Sequence, residues 1–204
     1  MKCLVFLPCL VLAVSAKITQ FTWSDCGASD ANRAVKILEL SVSPMPVKTP
    51  GDLVVHVKAQ VTKSIPKWSL KLSVKRHTFV ATVLVPCTEN IGSCTYDGCT
   101  ILGKMTTGDA AQQSVGSQVQ KMLSDNNFSI ACPIAVQNLD VQTFTIKVPE
   151  LGKAADILAD GDYTIEGRAL NPDTGELYGC VHFDAAIQRS CTGWLCSGKR
   201  RRIA

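Results

Sequence analysis

Trp68-Ser69-Leu70-Lys71-Leu72-Ser73-Val74-Lys75 alternates apolar and polar residues without a break. A β-strand turns successive side chains to opposite faces, so this run has one buried face and one wet face. Just upstream, Leu53, Val55, Val57, Ala59 and Val61 alternate with Val54, His56, Lys58, Gln60 and Thr62. Downstream, Phe144, Ile146 and Val148 keep the same period, as do Tyr163 and Ile165, and Leu177, Val181, Phe183, Ala185 and Ile187 make a last strand. Residues 79–85 are apolar on both faces and predict a more central strand. The punctuation suits antiparallel connections. Pro50-Gly51 precedes one strand, Ile65-Pro66 separates two, and Asn171-Pro172-Asp173-Thr174-Gly175 is a hairpin loop rich in residues that tolerate left-handed backbone. This spacing predicts an all-β sandwich or barrel rather than βαβ units.

One region departs from the period. Between Cys99 and Cys132 the chain turns to Gln, Ser, Ala and Gly, and Val115, Val119, Met122 and Leu123 fall on one side of a helix predicted to begin near Asp109. Gly116 weakens that helix.

The ends carry different information. Lys2, an apolar run over residues 3–14 and Val14-Ser15-Ala16 spell a secretory signal peptide over residues 1–16. The run is too short to cross a membrane, and no second long one follows it. Residues 17–190 are then expected to form one domain, and residues 191–204 an additional cysteine loop and a basic tail. The net charge of +4 misleads, because Lys2 and the run Lys199-Arg200-Arg201-Arg202 account for five positive charges. A nucleic-acid partner requires its basic excess on the folded body, so none is expected. The tail reads as solvated by default; attraction to an anionic membrane and proteolytic removal are its two sharper readings.

Eight cysteines remain after the signal: Cys26, Cys87, Cys94, Cys99, Cys132, Cys180, Cys191 and Cys196. An even number in an oxidising compartment predicts a disulfide framework, with zinc as the competing reading. No C-x-x-C pair or His-x-x-x-His supports zinc, so no metal or other cofactor is expected. Asn127-Phe128-Ser129 is an N-glycosylation sequon.

Catalytic patterns are scarce. His56, His77 and His182 each fall at polar-facing strand positions. There is no G-x-S-x-G elbow and no glycine-rich phosphate loop. Asp160, Asp162 and Glu166 lie close in sequence, but Gly161 and Tyr163 mark a turn entering a strand. No enzyme is expected.

A stronger signal is the segment Pro86-Cys87-Thr88-Glu89-Asn90-Ile91-Gly92-Ser93-Cys94-Thr95-Tyr96. It resembles the P-C-T-x-x-I-G-S-C-T-aromatic segment of the ML (MD-2-related lipid-recognition) family, in its ganglioside-activator branch. Phe21-Thr22-Trp23-Ser24-Asp25-Cys26 is similar to that branch's opening F-x-W-x-x-C, and Gly161-Asp162-Tyr163-Thr164-Ile165-Glu166 to its G-x-Y-x-I-E strand. Leu177-Tyr178-Gly179-Cys180-Val181 resembles its L-G-C-I strand with a tyrosine inserted. Together these cover Phe21 to about Ile187.

The resemblance implies an immunoglobulin-like sandwich of two antiparallel sheets, disulfide-stapled and opened around an apolar lipid cavity. It implies bridges Cys26–Cys180, Cys87–Cys94 and Cys99–Cys132, each typically contributing roughly 2–4 kcal/mol by restricting the unfolded chain. Cys191 and Cys196 have no counterpart and are expected to form a local bridge. The chain also lacks the branch's further cysteine pair between Cys99 and Cys132, where its insertion is longer. On periodicity alone the apolar faces describe a packed core equally well; the resemblance shifts the expectation to a cavity. The expected lining is Val55, Val57, Trp68, Leu70, Leu72, Val83, Phe144, Ile146, Tyr163, Ile165, Val181 and Phe183. Ala154, Ala155, Ile157 and Leu158 correspond to an apolar loop that touches membranes in the branch, where Ile157 and Leu158 join the lipid site; Trp194 is a second candidate for that contact. The implied function is a non-enzymatic carrier, secreted or lysosomal, that extracts a glycolipid, phospholipid or sterol from membranes and presents it. Its partners would be the lipid, the bilayer in passing, and a lysosomal glycosidase or a receptor. The other reading is an extracellular signalling or interaction protein that uses the same scaffold as a receptor ligand.

Overall fold

The alternating runs become paired strands in the computed structural model, which describes residues 17–150 and 160–190. One sheet sets β1 (Thr22–Ser24), β10 (Leu177–Arg189), β9 (Gly161–Leu170), β5 (Ser69–His77) and β6 (Thr82–Leu84) side by side. β3 (Val47–Thr49) also pairs with β10, and β7 (Thr95–Asp97) with β5. The other sheet is β2 (Val35–Ser43), β4 (Gly51–Val61) and β8 (Gln137–Val148). All pairings are antiparallel except β3 on β10. The expected sandwich of two antiparallel sheets is therefore the fold.

Register fixes what each face carries, because residues opposite one another point the same way. In the larger sheet Leu70, Leu72, Val74 and Arg76 pair with Ala169, Gly167, Ile165 and Tyr163, and the last three of these with Val181, Phe183 and Ala185. That is the inner face. The opposite face carries Ser69, Lys71, Ser73, Lys75 and His77, paired with Leu170, Arg168, Glu166, Thr164 and Asp162. In the smaller sheet Leu53, Val55, Val57 and Ala59 pair with Ile146, Phe144, Val141 and Leu139.

The sheets meet tightly at one end. Ala34, Val61, Ile65, Ile134 and Tyr178 form a buried cluster there, with Val35, Trp68 and Ala169 packed against it. A Cβ on Gly179 of β10 would stand 2.9 Å from the Cβ of Val35 on β2, so only glycine permits this approach. Cys26–Cys180 closes the same end, where Cys99–Cys132 also lies, and Cys87–Cys94 pins the loop after β6; all three bridges match the expected pairing. Beside the first, Arg33 Nη2 donates to Asp25 Oδ2 at 2.6 Å, with side chains 9% and 11% exposed. Losing either partner would strand a charge in a nearly water-free place, a change that typically costs 3–5 kcal/mol. The tyrosine inserted into the last strand is absorbed as a β-bulge: register shifts between Leu177 and Gly179, and Tyr178 turns into the cluster.

The predicted helix is α2 (Ala110–Asp125), started by Asp109 through a capping box with Gln112. A short helix, α1 (Ile101–Thr107), precedes it. Gly116, which weakens α2 intrinsically, is what lets α1 approach, since a Cβ there would come within 2.8 Å of Met105 Cβ. Met122 and Leu123 of α2 pack on Ala59, Leu139 and Val141, so the insertion covers part of the smaller sheet's inner face.

Residues 79–85 do not form a central strand. Only Thr82–Leu84 is a strand, at the sheet edge, and the preceding residues make the hairpin turn closed by Thr78 N to Ala81 O at 2.9 Å. Phe79 and Val80 are 78% and 86% exposed, so an apolar run that would be buried in a central strand here faces solvent.

Candidate functional site

Away from the closed end, the inner faces are not packed to completion. Leu70, Leu72, Val181 and Phe183 of the larger sheet, and Leu53 and Val55 of the smaller, are half-buried and belong to none of the three packed clusters of the described residues. Central residues of a filled sandwich would be closed off on both sides. Their inward register combined with residual exposure makes them the candidate lining of an apolar gap between the sheets.

The other expected lining residues divide. Val57 and Phe144 border the gap but lean on the α2 cluster, and Ile165 leans on the cluster of Val74, Val85 and Tyr163. Tyr163 is 0% exposed and Ile146 is 8% exposed, so both are core. Burial raises the Tyr163 hydroxyl's pKa above its ordinary range. Trp68 sits at the closed end with its ring against Gly98 and its indole Nε1 buried without a partner. Val83 shares the inner-face register with Arg76 but is 51% exposed on the edge strand. Ile157, Leu158, Trp194, Cys191 and Cys196 lie outside the described residues, as do the signal segment and the basic tail.

Gly167 lies on the same inner face as these candidate residues, a position that apolar periodicity does not mark. It is buried at the middle of the inner face, between Leu72 and Val181, and a Cβ there would meet only ordinary contacts at 3.4 and 3.5 Å. The missing side chain leaves a furrow. Its signal in the sequence is a glycine inside a strand pattern, which marks a bulge or a close approach.

The end of the sandwich opposite the closed one is apolar at its tip. His77 pairs with Asp162, and Gly161 with Ile187, so the Phe79–Val80 turn, the start of β9 and the end of β10 stand at one end. The exposed turn thus stands at the end opposite the Tyr178 cluster.

The histidines lie on outer faces. His77 Nε2 is 2.8 Å from Thr164 Oγ1, whose own proton goes to Asp184 Oδ1 at 2.6 Å, and Thr82 Oγ1 is 3.0 Å from His77 Nδ1. This chain is satisfied with the imidazole as donor to the threonine, the reverse of a base activating a hydroxyl nucleophile. His56 Nε2 is 2.9 Å from Glu39 Oε2 and Nδ1 is 3.0 Å from the Gln142 carbonyl; the Glu39 bond, then the Gln142 one, raise its pKa above the usual imidazole value. Because the folded pKa is the higher one, any stabilisation from this pair is present in acid and fades as pH rises through it. His182 Nδ1 lies 4.0 Å from Glu166 Oε2. Among the described residues no cluster of His, Cys, Asp and Glu has the geometry of a metal site.

Asn127 is exposed, in left-handed backbone at φ 52°, on the wall of a groove of about 510 Å³ between the helices and residues 128–131. Asn126 spends its amide on the Met122 carbonyl, whereas no hydrogen bond from the described residues engages the side chain of Asn127.

Comparison with known proteins agrees with this architecture. Residues 20–187 match the model of the ML domain. Ganglioside GM2 activator of Mus musculus is 25% identical over 171 residues, 82% of each chain, and that of Macaca fascicularis is 25% identical over 175 residues, 84% of this chain and 85% of the other. A Niemann-Pick type C2 protein from Japanese carpenter ant aligns at TM-score 0.40 and 15% identity, covering 82% of this chain and 99% of that one. Chicken MD-1 complexed with lipid IVa aligns at TM-score 0.38 and 12% identity, covering 80% and 86%. With a family model spanning nearly the whole described sandwich, this chain belongs to the ML domain family.

Proposed function

We propose that this chain takes a lipid from a membrane into the gap between its sheets and carries or presents it, without chemistry of its own. The observation that supports this most directly is the set of inward-registered, incompletely buried residues Leu70, Leu72, Val181, Phe183, Leu53 and Val55, which lie outside the three packed clusters of the described residues. Each methylene that such a surface withdraws from water is worth about 0.8 kcal/mol, so an acyl chain binds usefully without a polar anchor. The ganglioside GM2 activators that this chain resembles are consistent with a lipid as the ligand class. Ile157, Leu158 and Trp194 are proposed to add to the membrane contact. Organic extraction of protein purified from a secretory host, followed by lipid mass spectrometry, is expected to return one reproducible lipid class at close to one molecule per chain. A blank that persists after incubation with mixed-lipid vesicles would reject the reading.

The same reading places the chain on the secretory route, to a lysosome or to the extracellular fluid, where Asn127 meets the glycosylation machinery. Enzymatic deglycosylation of secreted protein is expected to lower its mass by one N-linked glycan, and Asn127→Gln to remove that shift. An unchanged mass would dismiss the site.

A further inference from the structure

A positive charge stands on the inner face of the larger sheet with no counter-ion among the described residues. Arg76 lies on the inner face of β5, opposite Tyr163 and Val83, and is half-buried. One guanidinium N–H, on Nη2, donates to the Asp160 carbonyl at 2.8 Å. Nε is buried without a hydrogen-bond partner, hemmed by the Gly161 backbone, where a Cβ would stand 3.0 Å away. None of the ion pairs among the described residues includes Arg76. Asp160, whose carbonyl Arg76 holds, turns its carboxylate to Arg189, accepting from that residue's backbone N–H at 2.8 Å and lying 3.9 Å from its Nε. Asp162, His77 and Lys75 register on the opposite face. An arginine partly withdrawn from water beside apolar side chains is costly unless an anion reaches it, and its planar fork suits phosphate or carboxylate oxygens.

We infer that Arg76 receives the anionic headgroup of the bound lipid, so that the protein selects phosphate- or carboxylate-bearing lipids over zwitterionic ones. This rests on the lipid-carrier reading and narrows its substrate class. The position fits both ends of such a molecule. The chains enter the furrow of Leu72, Gly167 and Val181, while the headgroup stays at the rim, three residues from the exposed Phe79–Val80 turn.

The test offers delipidated protein vesicles made of equal parts phosphatidic acid and phosphatidylcholine, then counts both lipids bound by mass spectrometry. Both come from one membrane, so any attraction of the protein to the surface cancels in their ratio. Wild type is expected to favour phosphatidic acid about tenfold, the effect of one charge-assisted contact. Arg76→Gln is expected to bring the ratio near that of the vesicles by loss of phosphatidic acid with phosphatidylcholine retained, and Arg76→Lys to restore part of it. A preference untouched in Arg76→Gln overturns the assignment, as does equal loss of both lipids, which would mark Arg76 as a clamp on the start of β9. Excess inorganic phosphate is expected to leave the ratio alone; erasure of the preference would show a free-anion site instead. Uptake of neither lipid by wild type would sink the carrier reading itself, an outcome distinct from lipid bound without preference.

Discussion

Gly167→Phe is expected to abolish lipid loading while leaving the fold in place. The three atoms nearest a Cβ at this position are Leu72 Cδ2 at 3.4 Å, Val181 Cγ1 at 3.5 Å and Leu70 Cδ1 at 3.7 Å, all from the larger sheet. The backbone therefore accepts a side chain with small adjustments, and the ring has to extend away from its own sheet, into the gap. Phenylalanine also suits a strand better than glycine, so β9 gains rather than loses propensity. Displacing about four methylenes of an acyl chain removes roughly 3 kcal/mol of transfer free energy, or more than a hundredfold in affinity. Lipid mass spectrometry reads the loss, and near-ultraviolet circular dichroism with a thermal melt checks that packing survives. Full lipid occupancy in a folded Gly167→Phe protein would mean that the ligand does not lie along β9.

The strands were legible because the period of two is strong where one face is wet. Leu70, Leu72 and Val74 alternate with Lys71, Ser73 and Lys75, and register places them on opposite faces of β5 as read. The helix at Asp109 was legible through its spacing of Val115, Val119, Met122 and Leu123. Its neighbour α1 was not, being seven residues long with no side-chain cap and a glycine at its centre. Residues 79–85 misled because hydrophobicity reports that a residue prefers burial, not that this chain alone supplies it. The lining was legible only as a face. Whether Tyr163 closes a core or Leu72 borders a gap depends on what the opposite sheet and the chain after β6 bring near it, and those partners are far away in sequence. Here Val85 and Val74 close over Tyr163, while nothing in the packed clusters closes over Leu72. Trp68 behaves likewise: its alternation is correct, yet Gly98 draws its ring to the closed end.

Exposure at the Phe79–Val80 turn leads to the second large effect. Thr78 holds the turn through its hydroxyl, which donates to the Ala81 carbonyl at 2.7 Å and accepts from the Ala81 N–H at 3.1 Å. The two apolar side chains are thus presented by a closed four-residue turn, at the end of the sandwich opposite the Tyr178 cluster. Keeping them in water gives up roughly 1.5–3 kcal/mol each, which a bilayer returns. The double variant Phe79→Asp with Val80→Asp is expected to lower partitioning onto phosphatidylcholine vesicles by about a hundredfold or more. Extraction of lipid from those vesicles should slow in parallel. Stability should hardly change, because neither side chain touches the core, and loading from lipid dispersed as monomers should persist, because the gap is untouched. A variant that still sediments with vesicles like wild type would place the membrane contact elsewhere. A variant that also fails to load monomeric lipid would show that the turn belongs to the binding site rather than to the approach. The two aspartates and Gly167→Phe separate the steps of a carrier: the first stops it reaching the bilayer, and the second stops it holding what it finds there.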